Sequence, residues 1–236
     1  MKKFIVLLAV LAMTLGANAQ NRPGAGKDYN RVEIYYAPMF VDHFNTRSNR
    51  FNNWSTSSMT AHGFKAGYTH GFHLSKKWPM FIEAGANLQY NHKTLENEEM
   101  DEDGNLYDVS VKYLRLNIPV AFTWRFAVGS KKLWKISPYT GFNFGINLLY
   151  KANDRNMFNY VEDFNEAYGS MYPSLTDDYY SAKRFQFGLI EGVNFTYKCW
   201  NFGLNYVIDL MPLEKSKTIG INNYTGTFAI GVGYEF

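Results

Sequence analysis

"TGTFAIGVGYEF", residues 225–236, separates into two lists when alternate residues are taken. Phe228, Ile230, Val232, Tyr234 and Phe236 are large and apolar, whereas Thr225, Thr227, Ala229, Gly231, Gly233 and Glu235 are small or polar. Successive side chains of a strand point to opposite faces, so the stretch reads as a strand with one apolar and one polar face. Chain ends fray unless something ties them down. A segment this regular is therefore expected to pair with another strand.

The same period recurs upstream. In "FGLNYVID", Phe202, Leu204, Tyr206 and Ile208 alternate with Gly203, Asn205, Val207 and Asp209. "FQFGLIEGVNFTY" places Phe185, Phe187, Leu189, Val193, Phe195 and Tyr197 on one face, and "GFNFGINLLY" does so with Phe142, Phe144, Ile146, Leu148 and Tyr150. "YLRLNIPVAFTWRF" sets the apolar series from Leu114 to Phe126 against Arg115, Asn117, Thr123 and Arg125. Earlier come Ile82, Ala84, Ala86, Leu88 and Tyr90, then Phe64, Ala66, Tyr68 and Phe72, and first Val32, Ile34, Tyr36, Pro38 and Phe40. These are eight segments of period two. Each is roughly ten residues or longer, the length of a tilted membrane-crossing strand. Strands of soluble sandwiches average about 5–6 residues.

The connections supply a second test. Short ones at 75–78, 129–134 and 198–200 alternate with long ones at 41–58, 91–107, 152–182 and 212–223. That alternation fits an all-β, eight-stranded antiparallel up-and-down transmembrane β-barrel with short periplasmic turns and long outer loops. An even strand count puts both termini in the periplasm. In lipid every backbone group must be paired within the protein, which a sheet achieves only by closing on itself. The last strand is therefore expected to pair with the first.

The N-terminus agrees with export. "MKKFIVLLAVLAMTLGANAQ" carries two lysines, an apolar run and Ala17-Asn18-Ala19, the order of a cleavable signal peptide over residues 1–19. Residues 20–30 then form a short periplasmic tail, and 31–236 the barrel. Removing Lys2 and Lys3 lowers the formal net charge from +3 to +1. No concentrated basic face suggests nucleic-acid binding. The single cysteine, Cys199, excludes an internal disulfide. No apolar stretch after residue 19 is long enough for a transmembrane helix.

The strand series "YLRLNIPVAFTWRF", "FGLIEGVNFTY", "NFGLNYVIDL" and terminal "GVGYEF" resembles the PorT-like outer-membrane β-barrel domain family of Gram-negative bacteria over nearly the whole mature chain. The resemblance implies an integral protein of the cell outer membrane, and includes a secretion-associated role. The final Phe236 with Tyr234 two residues before it is similar to the terminal signal read by barrel-assembly machinery.

With the apolar set facing lipid, Glu33, Lys65, Glu83, Arg115, Arg125, Asp209 and Glu235 face the lumen, where Glu83 and Arg125 are candidates to pair. Two readings stay open, a charged porin-like channel and a packed plug of ion pairs. Eight strands leave little space beyond the side chains, which favours the plug. Glu191 falls on the lipid side of its strand, where a carboxylate is costly. A local bulge is the expected reason, with protonation, snorkelling or contact with a protein partner the alternatives. Pro119 removes a ladder donor and predicts a bulge or irregularity. Trp78, Trp124, Trp134, Trp200 and Tyr234 should line the periplasmic interface, and Tyr90 and Tyr150 the outer one. The short turns carry Lys76, Lys77, Lys131, Lys132, Lys135 and Lys198.

"NHKTLENEEMDEDGNLYD" carries seven acids and one lysine, and Asp103-Gly104 suits a hairpin turn above the membrane, near cation-bridged lipopolysaccharide. No glutamate closes it as a calcium loop would require. Phe158, Val161, Phe164 and Tyr168 have helical spacing. Catalysis is not supported: no nucleophile elbow, phosphate loop or zinc signature occurs. His70 and His73 stand three apart, on opposite faces of a strand. His62 or His70 beside a serine would be the place for a lipid-directed site. The expectation is a non-enzymatic barrel with no cofactor or metal, whose partners are outer-membrane lipid, lipopolysaccharide and a ligand or protein at the outer loops or at Glu191.

Overall fold

The computed structural model describes residues 27–45, 58–74, 78–100, 106–129, 133–152, 155–156, 181–215 and 221–236. Its strands are β1 (Tyr29–Tyr36), β2 (Met39–Asn45), β3 (Ser58–His73), β4 (Met80–Met100), β5 (Leu106–Trp124), β6 (Phe126–Val128), β7 (Trp134–Ala152), β8 (Arg155–Asn156), β9 (Ser181–Ala182), β10 (Phe185–Tyr197), β11 (Trp200–Asp209), β12 (Glu214–Lys215) and β13 (Ile221–Glu235). No helix occurs among the described residues. The signal peptide, most of the tail, Lys76, Lys77, Lys131, Lys132, the Asp103-Gly104 turn and the helically spaced segment near Phe158 lie outside them.

Eight staves close the barrel in the order β1, β3, β4, β5, β7, β10, β11, β13 and back to β1, all antiparallel. Strand β2 continues the first stave and β6 the fourth. Closure is made by β1 against β13, from Arg31↔Glu235 to Tyr36↔Ile230. It ends in two backbone hydrogen bonds of 2.9 Å, from the Asn30 N–H to the Phe236 carbonyl and from the Phe236 N–H to the Asn30 carbonyl. The terminal strand is thus paired on both sides, and both ends of the described barrel lie together.

Side-chain alternation sets the two surfaces. Along β11, Asn201, Gly203, Asn205, Val207 and Asp209 are buried, while Trp200, Phe202, Leu204, Tyr206 and Ile208 are exposed to the lipid side. Aromatic pairs band the end that carries the short turns: Trp134 with Tyr197 at 4.6 Å and Trp200 with Tyr234 at 5.7 Å between ring centroids. The longest strands extend at the opposite end. Strand β4 has 21 residues and β5 has 19, and their pairing reaches Met100↔Leu106, so the acidic segment forms a hairpin flank above the barrel.

Two expectations are corrected here, for Tyr150 and Glu191, and one at Pro119 is met. Tyr150 is buried rather than part of the outer girdle. The register slips between Leu114↔Leu149 and Arg115↔Asn147, and the extra residue on β7 turns Tyr150 inward. Glu191 sits in no bulge: β10 keeps unbroken register with β7 and β11, and Glu191 lies opposite Thr140 and Tyr206 with its side chain exposed. Pro119 brings the expected irregularity without a register shift. Its missing donor leaves the β4–β5 ladder unpaired between Ala84↔Val120 and Asn87↔Asn117, and Pro119 faces the lumen in step with its neighbours.

Candidate functional site

The polar lumen is the densest chemistry in the molecule, and alternation alone puts it there. Arg31 and Glu33 alternate with Val32 and Ile34; Glu83 follows outward Ile82, and Glu235 follows Tyr234. Near the short turns, Arg31 bridges two carboxylates, donating through Nε to Glu33 at 2.7 Å and through Nη2 to Glu83 at 2.9 Å. The Tyr29 hydroxyl donates to the other Glu83 oxygen. Tyr35 and Thr69 donate to Glu33 at 3.1 and 3.2 Å. Arg125 reaches across the barrel to Glu235, which also accepts from Lys135 at 3.0 Å. The Arg125 guanidinium lies over the Tyr29 ring at 4.0 Å, a cation–π contact that separates it from Glu83. The candidate pairing of Glu83 with Arg125 is therefore not made.

Higher in the lumen, Arg115 and Asp209 form a two-pronged pair at 2.7 and 2.8 Å, both 1% exposed, and Thr225 donates to the same carboxylate. A planar guanidinium matches a carboxylate in this forked geometry. Gly145 makes room for it: a Cβ there would come within 2.1 Å of Arg115 Nε and 2.2 Å of Nη2. Lys65 donates to Asn205 across the lumen at 2.7 Å and stands 4.9 Å from the Tyr35 ring centre. Amides tie the remaining staves, Asn143 to Asn117 and Asn117 to Asn87, each at 3.0 Å. At the outer mouth Tyr113 donates to Asn147 at 2.6 Å and to Gln186 at 3.0 Å, and Asn91 donates to the Ala37 carbonyl at 2.7 Å. Beyond β11, Leu213 is fully buried, and its carbonyl accepts from the Lys183 N–H.

All seven charged residues assigned to the lumen from the sequence thus point inward. Sequence reasoning missed Arg31, Lys135 and the inward aromatics Tyr29, Tyr35, Phe81, Tyr113 and Tyr139. Alternation held the signal for Lys135, which follows outward Trp134. For the tyrosines, aromatic character pointed to lipid while position pointed to the lumen. Tyr234 and Phe236 close the seam beside Trp200 and Asn30.

Among the described residues the lipid-facing histidines have no serine partner. His62 Nδ1 is 2.5 Å from the Tyr36 hydroxyl, and His70 Nδ1 is 2.7 Å from Asn30 Oδ1. His73 packs inward against Phe81, so His70 and His73 sit on opposite faces. A serine-based site at either outward histidine is not assembled among the described residues.

Comparison with solved structures returns small outer-membrane proteins at low identity. The chain is similar to the attachment invasion locus protein Ail of Yersinia pestis, solved with the heparin analogue sucrose octasulfate, at 14% identity and a TM-score of 0.42, covering 89% of this chain and 99% of that one. It is similar to OprG of Pseudomonas aeruginosa at 12% identity and a TM-score of 0.43, covering 90% and 98%. Neisserial surface protein A gives 12% identity and a TM-score of 0.41, covering 89% and 97%. None of the curated proteins matches the chain. A family model described as "Outer membrane protein beta-barrel domain" matches residues 18–215. With the closed eight-stave barrel, its apolar belt and this match over most of its length, the chain belongs to the outer membrane protein beta-barrel domain family.

Proposed function

We propose that this outer-membrane barrel is non-enzymatic and closed to solute passage, and that it acts through its extracellular loops, which bind a partner or surface ligand. The observation that carries the reading is the filled lumen. Arg125–Glu235, Lys65–Asn205 and Arg115–Asp209 cross it at successive heights. Recognition then falls to what projects beyond the membrane. The β4–β5 hairpin runs ten residues past Tyr90 to Met100, roughly 30 Å of strand at about 3.3 Å per residue. The acids of this segment suit a cation-bridged lipopolysaccharide surface or a basic partner.

Both termini are assigned to the periplasm, which agrees with their shared barrel end and its short turns. Tyr234 and Phe236 are assigned as the signal for barrel-assembly machinery. Within the family we assign the chain to the PorT-like group, and with it a partner in a secretion assembly, on the strand resemblance. Planar-bilayer recording of purified protein is expected to give no stable single-channel steps; regular steps would replace this reading with the porin-like one. Extraction from outer membranes in mild detergent should recover a partner that is lost when the hairpin is shortened. A barrel that is always recovered alone would count against loop binding.

A further inference from the structure

The strand registers gather a row of basic side chains on the outside of the barrel. His62 on β3 lies opposite His92 on β4, His92 opposite Lys112 on β5, and Lys112 opposite Lys151 on β7. His62 and Lys112 are exposed, His92 and Lys151 half-buried, while their chain neighbours Gly63, Asn91, Tyr113 and Tyr150 are buried. By alternation all four basic residues face away from the lumen. They stand on four consecutive staves of the ring.

Height decides what the row meets. From Trp124, beside the short turn ahead of Met80, β5 climbs twelve residues to Lys112. At about 3.3 Å per residue and a tilt of about 40°, that is roughly 30 Å along the barrel axis. The apolar band of such barrels is about 25 Å tall, so Lys112 stands just beyond it. Two residues lower on the same outward faces are Phe64, Tyr90 and Leu114, the top of the apolar wall. The acids of the β4–β5 segment lie farther out along the hairpin. Positive charge directly above hydrocarbon, on the same staves, complements an amphiphile with an anionic head group.

Two features inside the row point the same way. Lys112 and Lys151 are directly opposite on neighbouring strands, where like charges repel; an anion shared between them removes that cost. Among the described residues no carboxylate lies within 4.0 Å of Lys112. His62 is held in place: its ring stacks on Tyr36 at 6.1 Å between centroids, and its Nδ1 meets the Tyr36 hydroxyl, which leaves Nε2 as the other ring nitrogen.

We propose that this row binds the phosphates of a lipid A-type glycolipid in the outer leaflet, with the acyl chains lying along the wall of Phe64, Tyr90 and Leu114. The assignment rests on the periplasmic placement of both termini, which turns this end of the barrel to the outer leaflet. Lys112 and Lys151 hold the phosphate oxygens in charge-assisted hydrogen bonds. His62 and His92 add ring nitrogens at the lower edge of the head group. A soluble phosphate has no acyl chains to use the wall below.

The test uses the full mature chain folded in detergent, with native mass spectrometry reading the bound lipid. The probes are diphosphoryl lipid A, its fully dephosphorylated form, phosphatidylglycerol and inorganic phosphate. Wild type is expected to hold diphosphoryl lipid A roughly tenfold or more tighter than the dephosphorylated form, the worth of one hydrogen bond to a charged group. Lys112→Gln with Lys151→Gln should lose that preference, and Lys198→Gln, in a short turn at the other end, should keep it. Folding of each variant is read from its gel migration before and after boiling. If the double variant does not fold, Lys112→Gln alone decides. Equal binding of the two lipid A forms, an unchanged preference in the lysine variants, phosphatidylglycerol held as tightly as lipid A, or displacement by inorganic phosphate alone would each overturn the proposal. An epitope placed within residues 20–28 separates this outcome from an error of topology. If antibody reaches it on intact cells, the periplasmic placement falls and the proposal with it; a shielded epitope without the lipid preference refutes the row alone.

Discussion

Replacing Asp209 by Asn tests whether the Arg115–Asp209 pair is structural. The wild-type carboxylate accepts two guanidinium hydrogen bonds, at 2.7 and 2.8 Å, and one from Thr225. Arg115 Nε already lacks a partner. An amide keeps the shape but removes the charge and turns N–H protons toward a guanidinium that has none to accept. Arginine stays charged in proteins, so the variant holds an unpaired cation in the centre of the lumen. Breaking a buried pair by removing one partner costs about 3–5 kcal/mol, and each 1.4 kcal/mol is about tenfold in the unfolding equilibrium. Urea unfolding in lipid vesicles, followed by fluorescence of the five tryptophans, should therefore show a loss of roughly two to three and a half orders of magnitude. The double variant Arg115→Met with Asp209→Leu should recover most of the loss, since apolar replacement of a whole buried pair is often near neutral. A cost below about 1 kcal/mol for Asp209→Asn, or a double variant as unstable as the single one, would refute the reasoning.

Gly145→Ala should cost about 1–3 kcal/mol by crowding the Arg115 guanidinium; the cost should shrink in the Arg115→Met, Asp209→Leu background, and an equal cost there would remove Arg115 as the cause. Glu191→Leu, on a lipid-facing strand in unbroken register, should stabilise the isolated barrel by roughly 1–2 kcal/mol in the same urea assay. If it destabilises instead, the carboxylate has an intramolecular partner. Deleting Phe236 removes the backbone pair with Asn30 as well as the terminal aromatic. Membrane insertion in cells should fall, measured as the folded fraction that migrates differently before and after boiling, and an unchanged folded yield would sink both roles.

The two-residue period of the chain fixes which side chains face lipid and which face the lumen, because that alternation is a local property of extended backbone. Strand number, the order of short and long connections and the need to close follow from the same pattern and from the absence of water in the bilayer core. Hence Arg115, Asp209, Glu235 and the other lumen charges were legible as inward residues before any coordinate. Their partners were not. Arg125 finds Glu235 across the barrel rather than Glu83 on the adjoining strand, because the Tyr29 ring stands between, and ring closure sets β1 and β13 across the lumen from β5. Tyr150 turned inward on a one-residue slip that leaves no mark in the local pattern. Glu191 stayed outward although its chemistry argues against lipid, because the ladders on both sides hold its register. The Lys65–Asn205 contact and the small cavity beside it likewise exist only once β3, β11 and β1 share one lumen. Facing is decided along a strand, whereas pairing is decided around the ring, between residues far apart in the chain.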